Sequence, residues 1–163
     1  MCFLIILVFV FPLEKIKRHK VWYKIIKQKK FGKIEENYVF LSVYELLYLY
    51  EHRVSKKDYK NLEILLNKKL YKYLVFKDLL KKGFIVKSAL KYGFDFRVYT
   101  KEDFEKKEHS LYLVKVLTPN YSFSSEELIS IFRIAHSVRK RIIFAFIDEE
   151  KGIVYYESKW LRV

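Results

Sequence analysis

The carboxyl-terminal half of the chain alternates apolar and polar positions with a period of two, then changes to a period of 3.6. Residues 84–89, 94–99 and 110–117 read as three successive strands, the last so continuously apolar that it belongs at the centre of a sheet. In the second of them Phe94, Phe96 and Val98 fall on one face and Asp95, Arg97 and Tyr99 on the other, because side chains alternate along a strand. A helix follows from about Ser125, with Ser124 and Glu127 at capping-box spacing. Its residues Leu128, Ile131, Phe132, Ala135 and Val138 recur at helical spacing and should face the sheet, while Arg133, His136 and Lys140 gather on a separate stripe. Residues 141–147 and 153–156 make two more strands around the turn Asp148-Glu149-Glu150-Lys151-Gly152.

The amino-terminal part has a weaker rhythm. The apolar run from Cys2 to Leu13 is rich in β-branched and aromatic residues and reads as a buried strand closed by Pro12. As an anchor it is too short, since a membrane helix needs about 20 apolar residues, and it is followed by Glu14 and basic residues instead of a small-residue cleavage site. Residues 21–26 and 37–41 read as short strands. Ser42 caps a helix with Glu45 completing a capping box, and Ser55 caps another. From Asp58 the apolar positions Leu62, Ile64, Leu65 and Leu70 continue into Tyr73, Leu74, Phe76, Leu79 and Leu80, as one or two amphipathic helices ending near Gly83. No linker rich in Gly, Ser or Pro separates the halves, so the pattern itself sets the expected division: a small mixed α/β domain over residues 1–67 and a larger one over 68–163.

Composition narrows the partners. A chain of 163 residues that is 52% hydrophobic can bury a core. Its 33 Lys and Arg against 19 Asp and Glu give a net charge of +14, spread along the chain from Lys15-Ile16-Lys17-Arg18 to Arg139-Lys140-Arg141. A polyanion is the natural partner of such a surface, although a Lys-rich protein from an AT-rich genome or a hot environment carries the same excess. Cys2 is the only cysteine, which excludes an intrachain disulfide and a Cys-based metal site and points to the cytoplasm.

Three segments carry more specific information: Tyr92-Gly93-Phe94-Asp95-Phe96-Arg97-Val98-Tyr99, Lys107-Glu108-His109-Ser110 and Arg133-Ile134-Ala135-His136-Ser137-Val138-Arg139-Lys140. In order, spacing and letters they resemble the catalytic half of the archaeal tRNA-splicing endonucleases, and the resemblance runs from about Lys72 to Tyr156. It implies a C-terminal nuclease domain with a central mixed β-sheet flanked by helices, behind a small mixed α/β N-terminal domain. It also implies that Tyr99, His109 and Lys140 cleave RNA with no metal ion and no cofactor. In that family two side chains clamp a base extruded from the substrate, and the matching positions are Arg133 and, near the end of the chain, Trp160. The substrate implied is precursor tRNA with a bulge-helix-bulge fold, cut to 2′,3′-cyclic phosphate and 5′-OH ends. Assembly is implied as well, through the C-terminal strands and an acidic turn for which Asp148, Glu149 and Glu150 stand here. The expected assembly is an α2β2 heterotetramer with a structural subunit, the alternative a homotetramer.

Those residue types suit that reaction. An RNA strand is cut by its own 2′-OH if one group removes that proton, another protonates the departing 5′ oxygen and a cation steadies the phosphate. An imidazole, with an ordinary pKa of about 6.5, is a natural acid near neutrality, whereas a phenol, at about 10, is a base only where cations help it ionise. A lysine is a compact charge for phosphate oxygens. Taken singly, each has an ordinary reading: a tyrosine packing at a strand end, a histidine in the solvated charged stretch from Lys101, a lysine complementing a helix dipole. Two other functions are weighed beside cleavage. A noncatalytic scaffolding subunit would be expected to lose Tyr99, His109 or Lys140, and a metal-dependent DNA nuclease would need more carboxylates on adjacent strands than Asp95.

Overall fold

The computed structural model describes residues 8–52, 59–106 and 108–159, with residues 8 and 59–68 described by their backbone. The chain forms two compact units, Met1–Tyr73 and Leu74–Val163. The first holds strands β1 (Val8–Pro12), β2 (Lys33–Glu35) and β3 (Tyr38–Ser42) with helices α1 (Leu13–Arg18), α2 (Lys20–Lys29) and α3 (Val43–Glu51). The long helix α4 (Tyr59–Lys81) runs from the first unit into the second.

In the first unit the strands are antiparallel in the order β1-β3-β2. β1 is therefore an edge strand, and Val10 is 51% exposed, so the apolar run is not buried throughout as its letters suggested. Residues 21–26, expected as a strand, lie in α2. The pair that decides this is Trp22 and Ile26, buried one helical turn apart while the lysines between and around them reach solvent. The start of α3 follows the sequence closely: Ser42 Oγ accepts from the Glu45 amide, and the Glu45 carboxylate accepts from the Ser42 amide at 2.8 Å and the Gly32 amide at 2.9 Å. A carboxylate that is only 4% exposed is tolerated here because these donors replace the water it loses. Ser55 lies outside the described residues.

The second unit is built on a five-stranded sheet in the order β4-β5-β6-β7-β8, with β4 Ile85–Ser88, β5 Phe96–Tyr99, β6 Tyr112–Leu117, β7 Arg141–Ile147 and β8 Ile153–Ser158. Only β6 and β7 are parallel, joined through α6 (Ser125–Ser137), and β6 is the central strand, as its continuous apolarity predicts. One face carries Phe96, which meets Phe76 of α4 with ring centroids 5.8 Å apart. The other is covered by α6, where Leu113, Leu117, Ile142 and Phe144 pack with Ile131 and Ala135, flanked by Leu128, Phe132 and Val138. Asp95, 5% exposed, accepts the Val116 amide at 2.8 Å and so closes the ladder where β5 begins; it is a structural carboxylate. The Ser124 hydroxyl caps α6 by accepting the Glu127 amide. A short helix the pattern did not predict, α5 (Lys101–Glu105), starts at Thr100, whose hydroxyl accepts the Asp103 amide. Among the described residues no helix is long and apolar enough to cross a membrane.

Candidate active site

The pairing register brings three sequence-distant positions to one end of the sheet. Val98 lies opposite Tyr112, and Tyr112 opposite Arg141. Because β5 is antiparallel to β6 and β6 parallel to β7, one step beyond that row come Tyr99, Leu111 and Lys140. With strands about 4.8 Å apart, the backbones of Tyr99 and Lys140 stand about 10 Å from one another across β6. His109 sits two residues before Leu111 on the same rim. The end of α5 leads into it, where the Glu108 amide donates to the Asp103 carbonyl at 2.8 Å.

Each side chain is held differently. Tyr99, the last residue of β5, is half-buried, its ring edge-on to Phe104 of α5 at 5.4 Å between centroids. The guanidinium carbon of Arg97, two residues earlier on the same face, is 5.9 Å from the Tyr99 ring centre. His109 is exposed, but the next residue, Ser110, is 4% exposed and anchors the loop. The Ser110 carbonyl accepts from Lys140 Nζ at 2.6 Å, which ties the start of β7 to the start of β6.

Lys140 is not on the helical stripe with Arg133 and His136. α6 ends at Ser137, and Arg139 takes a left-handed conformation with φ 52°. Its amide donates to the His136 carbonyl and that of Lys140 to the Ala135 carbonyl, the pair of bonds that closes a helix with a Schellman turn. The turn swings Lys140 off the helix and towards Ser110. Burial lowers the pKa of Lys140 below that of an ordinary lysine; the nearby Tyr92 phenol acts in the opposite sense, and the charge of Arg97 adds to the lowering. Tyr92 ends a single 3-10 turn (Leu90–Tyr92), and its pKa is lowered first by the neighbouring Lys91 ammonium, 4.7 Å from its ring centre, and further by the charges of Arg97 and Lys140, while burial acts in the opposite sense. Tyr92 and Arg97 are therefore members of this cluster that sequence reasoning did not single out. The only available signal was strand alternation, which placed Arg97 beside Tyr99.

The remaining expected positions are spread out. Arg133 is exposed on α6. Trp160 lies outside the described residues. Beside Lys140 a cleft of about 330 Å³ opens between the end of α6 and the ends of β7 and β8, with Phe132 and Ala135 in its wall and His136, Arg139, Lys140 and Lys159 around it. Asp148, Glu149 and Glu150 are exposed in the β7–β8 turn at the far end of the sheet. There the Asp148 carboxylate accepts the Gly152 amide at 2.7 Å, and a Cβ at Gly152 would lie 2.7 Å from that carboxylate.

A sheet that gathers phenol, imidazole and amine at one end beside a basic cleft has the parts of a nuclease domain. Residues 70–155 match the family described as tRNA intron endonuclease, catalytic C-terminal domain. The chain is 36% identical over 150 residues to a tRNA-splicing endonuclease of Methanococcus vannielii, covering 85% of this chain and 84% of that one. It is 36% identical over 157 residues to the tRNA-splicing endonuclease of Thermococcus onnurineus, covering 90% of each, and 38% identical over 149 residues to that of Thermococcus kodakarensis, covering 85% and 87%. The chain belongs to the tRNA intron endonuclease family and is an RNA endonuclease.

Proposed function

We propose that this protein cuts precursor tRNA at bulge-helix-bulge splice sites by metal-independent attack of the substrate's own 2′-OH. The observation that supports this reading is the strand register, which brings the Tyr99, His109 and Lys140 positions to one end of the sheet, with the further cation Arg97 beside the Tyr99 ring. As a phenolate, Tyr99 takes the 2′-OH proton. The 2′ oxygen bonds to phosphorus as the bond to the 5′ oxygen breaks, and His109 gives its proton to that leaving oxygen. The products are a 2′,3′-cyclic phosphate and a 5′-OH end, and no water is consumed. Lys140 and its neighbouring positive charges hold the phosphate as charge builds on it. Arg133 takes an extruded base, with Trp160 as its partner.

The exposed edge of the domain supports assembly. β8 ends the sheet, and Phe146, Val154 and Tyr156 are 45%, 53% and 61% exposed together on one face of β7 and β8. An uncovered edge strand with an apolar patch favours another protein surface. In this reading two catalytic centres are brought together in the cytoplasm, with a structural subunit as α2β2 or as a homotetramer.

The deciding experiment incubates the purified chain, alone and with candidate partner subunits, with a bulged precursor tRNA. Cleavage should stop when the ribose at the cut site is 2′-deoxyribose and should survive chelation of divalent ions once the RNA is folded. A deoxy substrate cut at the normal rate would sink the mechanism, and native mass measurement separates the two assemblies.

A further inference from the structure

Arg97 does not behave as a structural arginine. Such a residue, when half-buried, normally spends its guanidinium on a carboxylate or on backbone carbonyls, because an unpaired charge taken from water is costly. Here the Nε is buried and makes no hydrogen bond, and among the described residues no acidic side chain pairs with Arg97 or with Lys140. The carboxylate on the same strand face, Asp95, accepts the Val116 amide. The free protein thus holds two like charges within each other's field, Arg97 beside the Tyr99 ring and Lys140 at the start of β7, an arrangement that becomes favourable when an anion enters between them.

From this we propose that Arg97 is a substrate-binding residue of the cleavage site, whose guanidinium takes a backbone phosphate of the RNA beside Lys140. The planar fork offers two parallel donors to two phosphate oxygens, which an ammonium cannot do. Its place over the Tyr99 ring means that the group holding the phosphate also fixes the position of that phenol. The inference rests on the reading of the site as an RNA-cleaving one and adds to it a residue with a separable signature.

The test uses the full chain in its active assembly, with bulged precursor tRNA bearing 2′-deoxyribose at the cut site for binding and all-ribose RNA for cleavage. Arg97→Gln should weaken binding about tenfold and make the dependence of log affinity on log salt shallower by about one unit, as expected for one lost phosphate contact. Single-turnover cleavage should slow at least as much. Arg97→Lys should recover the salt slope but only part of the rate, because it restores the charge without the fork. Unchanged salt slope and affinity in Arg97→Gln would overturn the proposal. So would a folding failure of both Arg97→Gln and Arg97→Met, the second of which removes the charge and keeps an apolar side chain over Tyr99, since that would make Arg97 a structural residue. A wild-type chain that neither binds nor cuts the bulged RNA would instead bring down the reading of the function.

Discussion

At the scale of residues, the site divides into groups that geometry makes testable one at a time. His109 is exposed and makes no described contact that folding depends on, so His109→Ala should leave the thermal unfolding temperature in place and lower the single-turnover cleavage rate by roughly 100 to 10,000-fold, the span for a positioned acid. A tenfold loss or less would make it an ordinary loop histidine. Lys140 is different, because burial and Arg97 make it give up its proton at a lower pH than an ordinary lysine. Its positive charge is present at low pH and disappears as pH rises through that lowered value. The alkaline limb of the pH–rate profile should therefore fall early in the wild type and move upward in Lys140→Arg, which stays charged; superimposable profiles would show that Lys140 does not set that limb. Arg133 is exposed on α6, so Arg133→Ala should weaken binding of bulged RNA by roughly 1 to 3 kcal/mol, the scale of one stacked base, with little change in stability. An equal loss on a fully paired duplex would reveal only phosphate attraction.

At the scale of elements, one junction positions Lys140 and another ties the sheet to α4. The Schellman turn at the end of α6 holds Arg139 at φ 52°, a conformation that glycine adopts without strain. Arg139→Gly should raise stability by about 0.5 to 1 kcal/mol in urea unfolding while weakening RNA binding through the lost charge; a less stable variant would mean that the arginine side chain itself supports the turn. The second junction joins β8 to α4, where the Tyr155 hydroxyl donates to Asp78 at 2.7 Å. Burial first, then that hydrogen bond and the Asp78 charge, push the Tyr155 pKa far above the ordinary 10. Above about pH 10 the unfolded chain releases this proton and the folded chain keeps it, so the contribution is complete below pH 10 and is lost as pH rises beyond it. Tyr155→Phe should cost about 1 to 2 kcal/mol at neutral pH and show a shallower alkaline decline than the wild type; parallel declines would contradict the contact.

At the scale of the whole molecule, net charge and the acidic turn make the proposed partners testable. A charge of +14 predicts binding to any RNA that weakens steeply with salt, so a comparison of bulged with fully paired RNA at several salt concentrations separates this general attraction from the proposed recognition of a bulge. The acidic turn stands apart from that basic surface. Asp148 is committed to capping its own turn, which leaves Glu149 and Glu150 as the pair available to a neighbour. Glu149→Lys combined with Glu150→Lys should give a folded chain of lower native mass that no longer cuts at splice sites. A fully active double variant of unchanged mass would refute the proposed role of the turn in assembly.

Legibility in the sequence followed the range of the interactions. The five strands of the second unit, the central place of β6, the capping box of Ser42 and Glu45, and the shared face of Arg97 and Tyr99 are consequences of period and of contacts three or fewer residues apart, so the chain determined them by itself. The same local rules misassigned residues 21–26, whose aromatic and β-branched letters suit a strand. What decided for α2 was the burial of Trp22 and Ile26 on one helical side, a property of the packed unit. Lys140 shows the limit most plainly. Continued helical spacing put it on a solvent stripe with Arg133, yet a left-handed arginine, a residue with no sequence signal for that conformation, ended the helix and delivered the amine to the Ser110 carbonyl thirty residues away. The electrostatic grouping of Lys140, Arg97 and Tyr92 is likewise a tertiary fact, because β5 and the start of β7 come near one another only through the pairing of each with β6.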